Sequence, residues 1–156
     1  RKKVVFEYDL IARRRDQASG EVHDTIQVKF LRVICGTEAP QSADLTLTID
    51  GEDKQITAQG DGPVDAVFNA VKALFPHQAH LQLYQVHAVT EGTDAQATVS
   101  VRMEEEGRIV TGEAADTDTV VASAKAYVNA LNRLIVRRQK SDPDADVKAV
   151  SYKDAG

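Results

Sequence analysis

Apolar and polar residues alternate along most of this chain, and the period changes twice from two residues to about 3.6. From Thr25 three alternating runs are followed by an apolar stripe with helical spacing, up to about Phe75. The same order returns between residues 80 and 139. Alternation is typical of a strand with one buried face, and the longer period is typical of an amphipathic helix. The pattern predicts an α+β fold of two pseudo-symmetric β-β-β-α units, with helices packed on antiparallel sheets.

The first strand of each unit contains the same irregularity. In the first unit the alternation through Val28 and Phe30 slips by one position at Leu31. In the second unit the slip falls between Leu83 and Tyr84. A slip of one position is what a β-bulge produces. The shared slip supports the interpretation that the second unit repeats the first.

The segments outside the two units have a different character. Residues 2–10 are compatible with a short helix, and residues 12–24 form a polar stretch with the character of a linker. Residues 147–152 could add a short strand to an otherwise polar tail. We therefore divide the chain into a linker remnant (1–24), a domain (25–140) made of unit one (25–76) and unit two (80–139), and a C-terminal tail (141–156).

Composition narrows the possible classes of function. The hydrophobic content of 42% suffices for one core, and the net charge of −5 with a pI near 5.3 gives no basic footprint for nucleic acid. No apolar run reaches the roughly 18 residues of a membrane span, so no membrane partner is expected. The single cysteine, Cys35, allows no internal disulfide and fits a reducing compartment, so we expect a cytoplasmic protein.

The sequence favours a binding module over an enzyme. It shows no nucleophile with a base, no phosphate loop and no metal cluster, and His77 and His80 have no third ligand nearby. Each predicted helix instead follows a cluster of small and acidic residues, 60–65 in one unit and 115–119 in the other. Two helix N-termini would offer two sets of free backbone N–H groups to an anionic ligand. The glycines at 60 and 62 also have a purely structural interpretation, in which they form a tight turn between strand and helix.

Three blocks of sequence carry a family resemblance. They occur in the order GDGPVDAVFNA from Gly60, LYQVHAVTEGTDAQA from Leu83 and DTDTVVASAKAYVNALNR from Asp116. Together they resemble the C-terminal regulatory domain of 2-isopropylmalate synthase, over roughly residues 25–138. In that family the domain follows a catalytic barrel, an acyltransferase with a divalent metal and sites for acetyl-CoA and 2-oxoisovalerate. The resemblance implies that this chain lacks the barrel, has no catalytic residues and holds no metal or other cofactor.

The resemblance also implies a function and partners. The domain would bind leucine, the end product of the pathway, and transmit feedback inhibition to the barrel of the same polypeptide. Two such domains would pair in a homodimer, with the effector near their interface and between the two units. The implied effector site contains Gly60, Gly62, Val64 and Asp65 at the first helix start. Leu81, Tyr84, Ala88 and Ala95 of the second unit form its wall, and Thr117 and Thr119 lie at the second helix start.

Two alternatives remain open at this stage. The same domain in a citramalate synthase would bind isoleucine, which differs from leucine only in where a methyl group branches. An apolar pocket distinguishes such ligands by about 1–3 kcal/mol. A purely structural dimerisation domain without effector binding is the second alternative.

Overall fold

The computed structural model describes residues 4–9, 25–37, 40–88 and 95–141. Its elements are β1 (Val4–Asp9), β2 (Ile26–Cys35), β3 (Gln41–Ile49), β4 (Glu52–Gly60), α1 (Pro63–Leu74), β5 (His80–Ala88), β6 (Ala97–Glu105), β7 (Arg108–Asp116) and α2 (Thr119–Ser141). Three strands and a helix follow one another twice, from β2 to α1 and from β5 to α2. The predicted α+β fold of two β-β-β-α units is confirmed. The strand predicted at residues 147–152 lies outside the described residues.

The two sheets are antiparallel and differ in size. One has the order β1-β2-β3-β4 and the other the order β5-β6-β7. The additional strand β1 pairs with β2 from Val4↔Cys35 to Asp9↔Phe30, so the helix predicted over residues 2–10 is wrong. The physical reason is visible in the sequence, where β-branched and aromatic residues alternate with acidic ones toward the end of the segment.

The hairpin turns repeat from one unit to the other. Asp50 and Gly51 join β3 to β4 with φ values of 53° and 81°, and Glu106 and Gly107 join β6 to β7 with φ values of 51° and 81°. Two successive residues with positive φ match the right-handed twist of the strands they join. The duplication therefore extends to the backbone conformation of the turns.

Both helices lie between the two sheets. α1 packs on β3 and β4, α2 packs on β6 and β7 and also reaches β2, and the helices contact each other. Asn132 of α2 accepts a hydrogen bond from the Ile26 N–H at 2.8 Å and donates one to the Ile26 carbonyl at 2.8 Å. The buried apolar residues of both units therefore form one cluster. Neither helix in the described part of the chain is long and apolar enough to cross a membrane.

Candidate functional site

The Tyr84 side chain of β5 contacts both helices. The edge of one ring faces the other between Tyr84 and Phe68 of α1, with centroids 5.8 Å apart and an interplanar angle of 79°. The Tyr84 hydroxyl lies 2.6 Å from the Oγ of Ser123 in α2. Because Ser123 donates its own proton to the Thr119 carbonyl at 2.7 Å, its oxygen accepts from the Tyr84 O–H. Tyr84 is thus fixed against α1 and the first turn of α2.

A half-covered apolar surface surrounds Tyr84. Leu81, Tyr84 and Val86 pair with Met103, Val101 and Val99 of β6, so all three face the helix layer; we call them the β5 stripe. The three β6 partners are fully buried, yet Leu81 and Val86 are 44% and 45% exposed. α2 covers β6 and β7 and leaves part of β5 open. Val86 was not among the predicted site residues, although its alternation with Tyr84 was a signal that could have identified it.

The start of α1 offers backbone donors that no side chain caps. Gly62 caps the helix without a side-chain hydrogen bond, and Pro63 follows as the first helical residue. Among the described residues, no acceptor binds the N–H groups of Val64 and Asp65. Asp65 itself is exposed and its Oδ2 accepts the Asp61 N–H at 2.9 Å. Free N–H groups at a helix start favour an anion.

α1 contacts the β5 stripe at Tyr84. Phe68 of α1 packs against the Tyr84 ring, and the chain leads from α1, after Pro76, into the start of β5 at His80. Leu81 lies at the end of the β5 stripe next to this connection, and Val86 lies at the other end.

Gly60 has a packing role that differs from ligand contact. A Cβ at this position would lie 2.4 Å from the Ala66 N and 2.7 Å from the Asp65 Oδ2. The end of β4 therefore approaches the first turn of α1 too closely for any side chain. A Cβ added at Gly62 would have no atom within 4 Å, and the φ of −154° at this residue is ordinary extended backbone. A substitution at Gly62 therefore tests the site, whereas one at Gly60 disturbs the fold.

The second helix start is already occupied, so the prediction of two open helix N-termini is wrong for α2. The Oδ1 of Asp118 accepts the N–H groups of Val120 at 2.8 Å and Val121 at 3.2 Å. A carboxylate of the chain itself thus fills the position that an anionic ligand would take. Thr117 and Thr119 are exposed beside it, and Thr119 reaches Tyr84 only through Ser123.

Ala88 and Ala95 flank the connection between β5 and β6. Ala88 pairs with Ala97, and Ala97 also pairs with Asp116 at the end of β7. Ala88 and Ala97 are therefore at the end of the sheet where α2 begins. Ala95 is exposed just before β6.

A buried histidine lies in the connection between α1 and β5 and contacts α2. His77, in the connection from α1 to β5, is 7% exposed and its Nε2 lies 2.9 Å from the Tyr127 hydroxyl of α2. The Ala79 N–H donates to the Nδ1 at 3.2 Å, so the neutral ring carries its proton on Nε2 and donates it to Tyr127. The ring of Tyr127 lies against that of Phe68, with centroids 4.4 Å apart and an interplanar angle of 35°. Burial raises the pKa of Tyr127 to about 12, so the hydroxyl stays neutral.

The same connection contacts an ion pair whose carboxylate is buried. Arg138 near the end of α2 binds both carboxylate oxygens of Glu105, which is 6% exposed. This bond lowers the pKa of Glu105, and the N–H of Gln78 adds to the effect. Burial, followed by the charge of Lys72, lowers the pKa of His77. Within the described ranges no three His, Cys, Asp or Glu side chains come together as metal ligands.

The architecture and the site define a class of protein. The described residues form a duplicated β-β-β-α module with two helices between antiparallel sheets and a half-covered apolar surface on β5. Family comparison gives the particular family. Residues 4–135 match the model of the LeuA allosteric (dimerisation) domain, and the chain belongs to this family.

Three relatives named 2-isopropylmalate synthase are longer than this chain. It is 61% identical over 147 residues to a 2-isopropylmalate synthase of Caulobacter sp. (strain K31), which covers 94% of the chain and 28% of that relative. It is 56% identical over 140 residues to the 2-isopropylmalate synthase of Rhodopseudomonas palustris (strain BisA53), which covers 90% of the chain and 27% of that relative. The enzyme of the same name from Nitrobacter winogradskyi is 52% identical over 145 residues, 93% of the chain and 28% of its own length. The chain thus spans little more than a quarter of these relatives.

Proposed function

We propose that this chain is the leucine-binding regulatory domain of a 2-isopropylmalate synthase, which transmits feedback inhibition to a catalytic barrel of the same polypeptide. One observation carries the proposal: the half-covered β5 stripe meets α1, a helix without a side-chain cap at its start, and Tyr84 of this stripe contacts both helices. The similarity to proteins named 2-isopropylmalate synthase supports the assignment to this enzyme. The reducing compartment that Cys35 fits supports the cytoplasm as the location.

The two parts of the surface match the two parts of a leucine zwitterion. Its carboxylate suits the free N–H groups of Val64 and Asp65 at the positive end of the helix. Its ammonium group suits the Asp65 carboxylate. Its isobutyl group suits the β5 stripe, where covering an apolar side chain contributes about 1.5–3 kcal/mol. The remaining affinity must come from the charged groups.

The proposed signal path starts at Tyr84. A ligand on the β5 stripe contacts a side chain whose hydroxyl is bonded to Ser123 and whose ring is packed against Phe68. Both helices therefore respond to any shift of Tyr84. A coupling of about 1–3 kcal/mol between effector site and barrel is typical of allosteric proteins. Tyr84→Phe keeps the ring contact and removes the hydrogen bond to α2, so it separates binding from transmission.

Thermal denaturation with leucine, isoleucine and valine tests the proposal. A ligand at 100 times its dissociation constant adds about 2.7 kcal/mol to the free energy of unfolding. We expect the largest shift of the melting temperature with leucine. A larger shift with isoleucine would assign the chain to a citramalate synthase, and no shift with any of the three would leave a purely structural dimerisation domain.

Ala88→Leu is the variant that tests the proposed place of the isobutyl group. The added side chain should fill that place and weaken leucine binding at least tenfold, about 1.4 kcal/mol. Gln85→Ala changes an exposed residue of the same strand and serves as the control. Unchanged leucine affinity in a folded Ala88→Leu protein would place the isobutyl group elsewhere.

A further inference from the structure

The connection between α1 and β5 is fastened by a histidine that must be neutral. The Nδ1 of His77 accepts the Ala79 N–H at 3.2 Å, and the Nε2 lies 2.9 Å from the Tyr127 hydroxyl. A protonated imidazole carries a donor on both nitrogens. It therefore cannot accept from Ala79, and the two N–H groups would face each other. Protonation of His77 must change the backbone directly before β5.

The surroundings of His77 disfavour an imidazolium in the same place. The titratable and charged side chains that face it come from three elements: Lys72 of α1, Glu105 of β6, and Tyr127 and Arg138 of α2. Arg138 already binds both carboxylate oxygens of Glu105, and the Gln78 N–H donates to the same carboxylate. A buried charge without a free counter-charge is costly. The protonated ring is therefore accommodated only if the connection moves toward water.

A row of packed rings joins His77 to the β5 stripe. The rings of His77 and Tyr127 have centroids 5.8 Å apart, and Tyr127 lies against Phe68 at 4.4 Å. The Phe68 ring in turn meets the edge of Tyr84 at 5.8 Å. Protein interiors are close-packed, so neighbouring rings do not shift independently. A movement at His77 thus reaches Tyr84 through three direct contacts.

We propose that His77 makes the effector site sensitive to pH, with the neutral ring holding the β5 stripe in its binding arrangement and protonation releasing the ligand. The inference rests on the proposed function, because it concerns the regulation of the same site. Histidine is the side chain whose charge changes nearest to neutral pH, so the device responds within the range of a living cell. Feedback inhibition would then weaken when the surroundings of the protein become acidic.

The sign of the effect follows from the two protonation states. Leucine binds to the form with neutral His77, so its affinity should be level at about pH 7 and above. Burial, followed by the charge of Lys72, lowers the pKa of His77 below its ordinary value of 6.5. The affinity should therefore decrease as pH falls below that value. Linkage requires the converse, that bound leucine makes His77 harder to protonate.

Calorimetric titration with leucine at about pH 7.5 and about pH 5 tests the switch, since these values lie on either side of the ordinary histidine pKa. The wild type should bind at least threefold more weakly at the lower pH. His77→Gln carries an amide that does not titrate and should bind equally at both. His80→Gln is the matched control, because it removes an exposed histidine three residues away, and it should keep the pH dependence of the wild type.

A nuclear magnetic resonance titration of the histidine rings provides a second measurement that needs no variant. Leucine should lower the pH at which the His77 ring signals titrate and should leave those of His80 unchanged. A histidine with only a structural role would titrate at the same pH with and without leucine.

Three results would overturn the switch: equal wild-type affinity at both pH values, a pH dependence that persists in His77→Gln, or a His77 titration that leucine does not shift. A chain that binds leucine with an affinity independent of pH would contradict the switch alone. A chain that binds none of leucine, isoleucine and valine at about pH 7.5 would contradict the proposed function and the switch together.

Discussion

β2 and β5 occupy the same place in their units and have opposite environments. Counted from the bulge in each strand, Val33 of β2 corresponds to Val86 of β5, and Leu31 corresponds to Tyr84. Val33 and Leu31 are fully buried, because α1 and α2 both reach β2, whereas Val86 is 45% exposed. The same duplicated scaffold therefore produces a closed core on one side and an open surface on the other.

The helix starts differ in the same sense. Gly62 and Asp118 are the residues immediately before α1 and α2. Asp118 places its carboxylate on two helix N–H groups, and Gly62 has no side chain to do so. In the proposed function, the closed strand and the occupied helix start leave no place for a second leucine. Two local differences therefore distinguish the two units of an otherwise symmetric module.

The largest effect is expected where α2 lies against β7. A Cβ on Gly112 would be 2.2 Å from the Ala126 carbonyl oxygen and 2.4 Å from the Ala130 N. Gly112→Ala must push the helix from the sheet, and we expect a loss of about 3 kcal/mol of unfolding free energy. The equivalent position in the first unit is Ile56, which is half-buried, so Ile56→Ala should cost only about 1 kcal/mol. Urea denaturation of both variants measures the difference, and equal losses would contradict the closer packing of the second helix.

The next effect separates β2 from β5 directly. Val33→Ala leaves a cavity in a fully buried position and should lower the free energy of unfolding by about 2 kcal/mol. Val86→Ala removes the same atoms from a half-exposed position and should cost less than about 0.5 kcal/mol. Val86→Ala should weaken leucine binding instead, while Val33→Ala should not at temperatures where it is folded. Similar losses of stability in the two variants would mean that β5 is covered in solution.

The smallest effect concerns pH and the buried His77. Burial lowers its pKa from the ordinary value of 6.5, so the unfolded chain takes up this proton before the folded one does. The free energy of unfolding should therefore be level above about pH 6.5 and should decrease as pH falls below it. Glu105, whose own pKa is lowered, keeps its charge in this range and does not reverse the trend. The loss should be absent in His77→Gln, and a variant with the same pH dependence as the wild type would assign it to another group.

Much of the fold was predictable because its pattern is repeated. The periods of two and 3.6 residues identified both units, and the phase slips in the first strands indicated the two bulges. The predicted slips lie one or two residues later in the chain than the bulges. In β2 the bulge lies between Val28 and Phe30, and Phe30 pairs with Thr46 on the face away from the helices. An apolar residue on an outer face obscures the alternation, so the pattern alone could not locate the bulge. The alternation in β1 covers only residues 6–9, which is too short to identify a strand without the pairing with β2.

The site was less predictable, because exposure is a property of the assembled layers. The sequence indicated both helix starts but could not show that Asp118 folds back onto its own helix and that no residue does so at Gly62. It identified Tyr84 only through family resemblance. It did not identify Val86, since alternation shows which face a residue is on and not whether a helix covers that face. His77 could not be recognised as a buried partner of Tyr127, because the two are 50 residues apart in the chain.

Calorimetric titration of Gly62→Asp with leucine is the sharpest test of an effector site at the start of α1. This change gives α1 the same capping residue that α2 has, and a Cβ at this position meets nothing within 4 Å. We expect that the wild type binds one leucine per chain, that Gly62→Asp stays folded and binds at least tenfold more weakly, and that Gly62→Ala binds like the wild type. Two leucines per chain, or an unchanged affinity in Gly62→Asp, would contradict the claim that the open side of the molecule is the effector site.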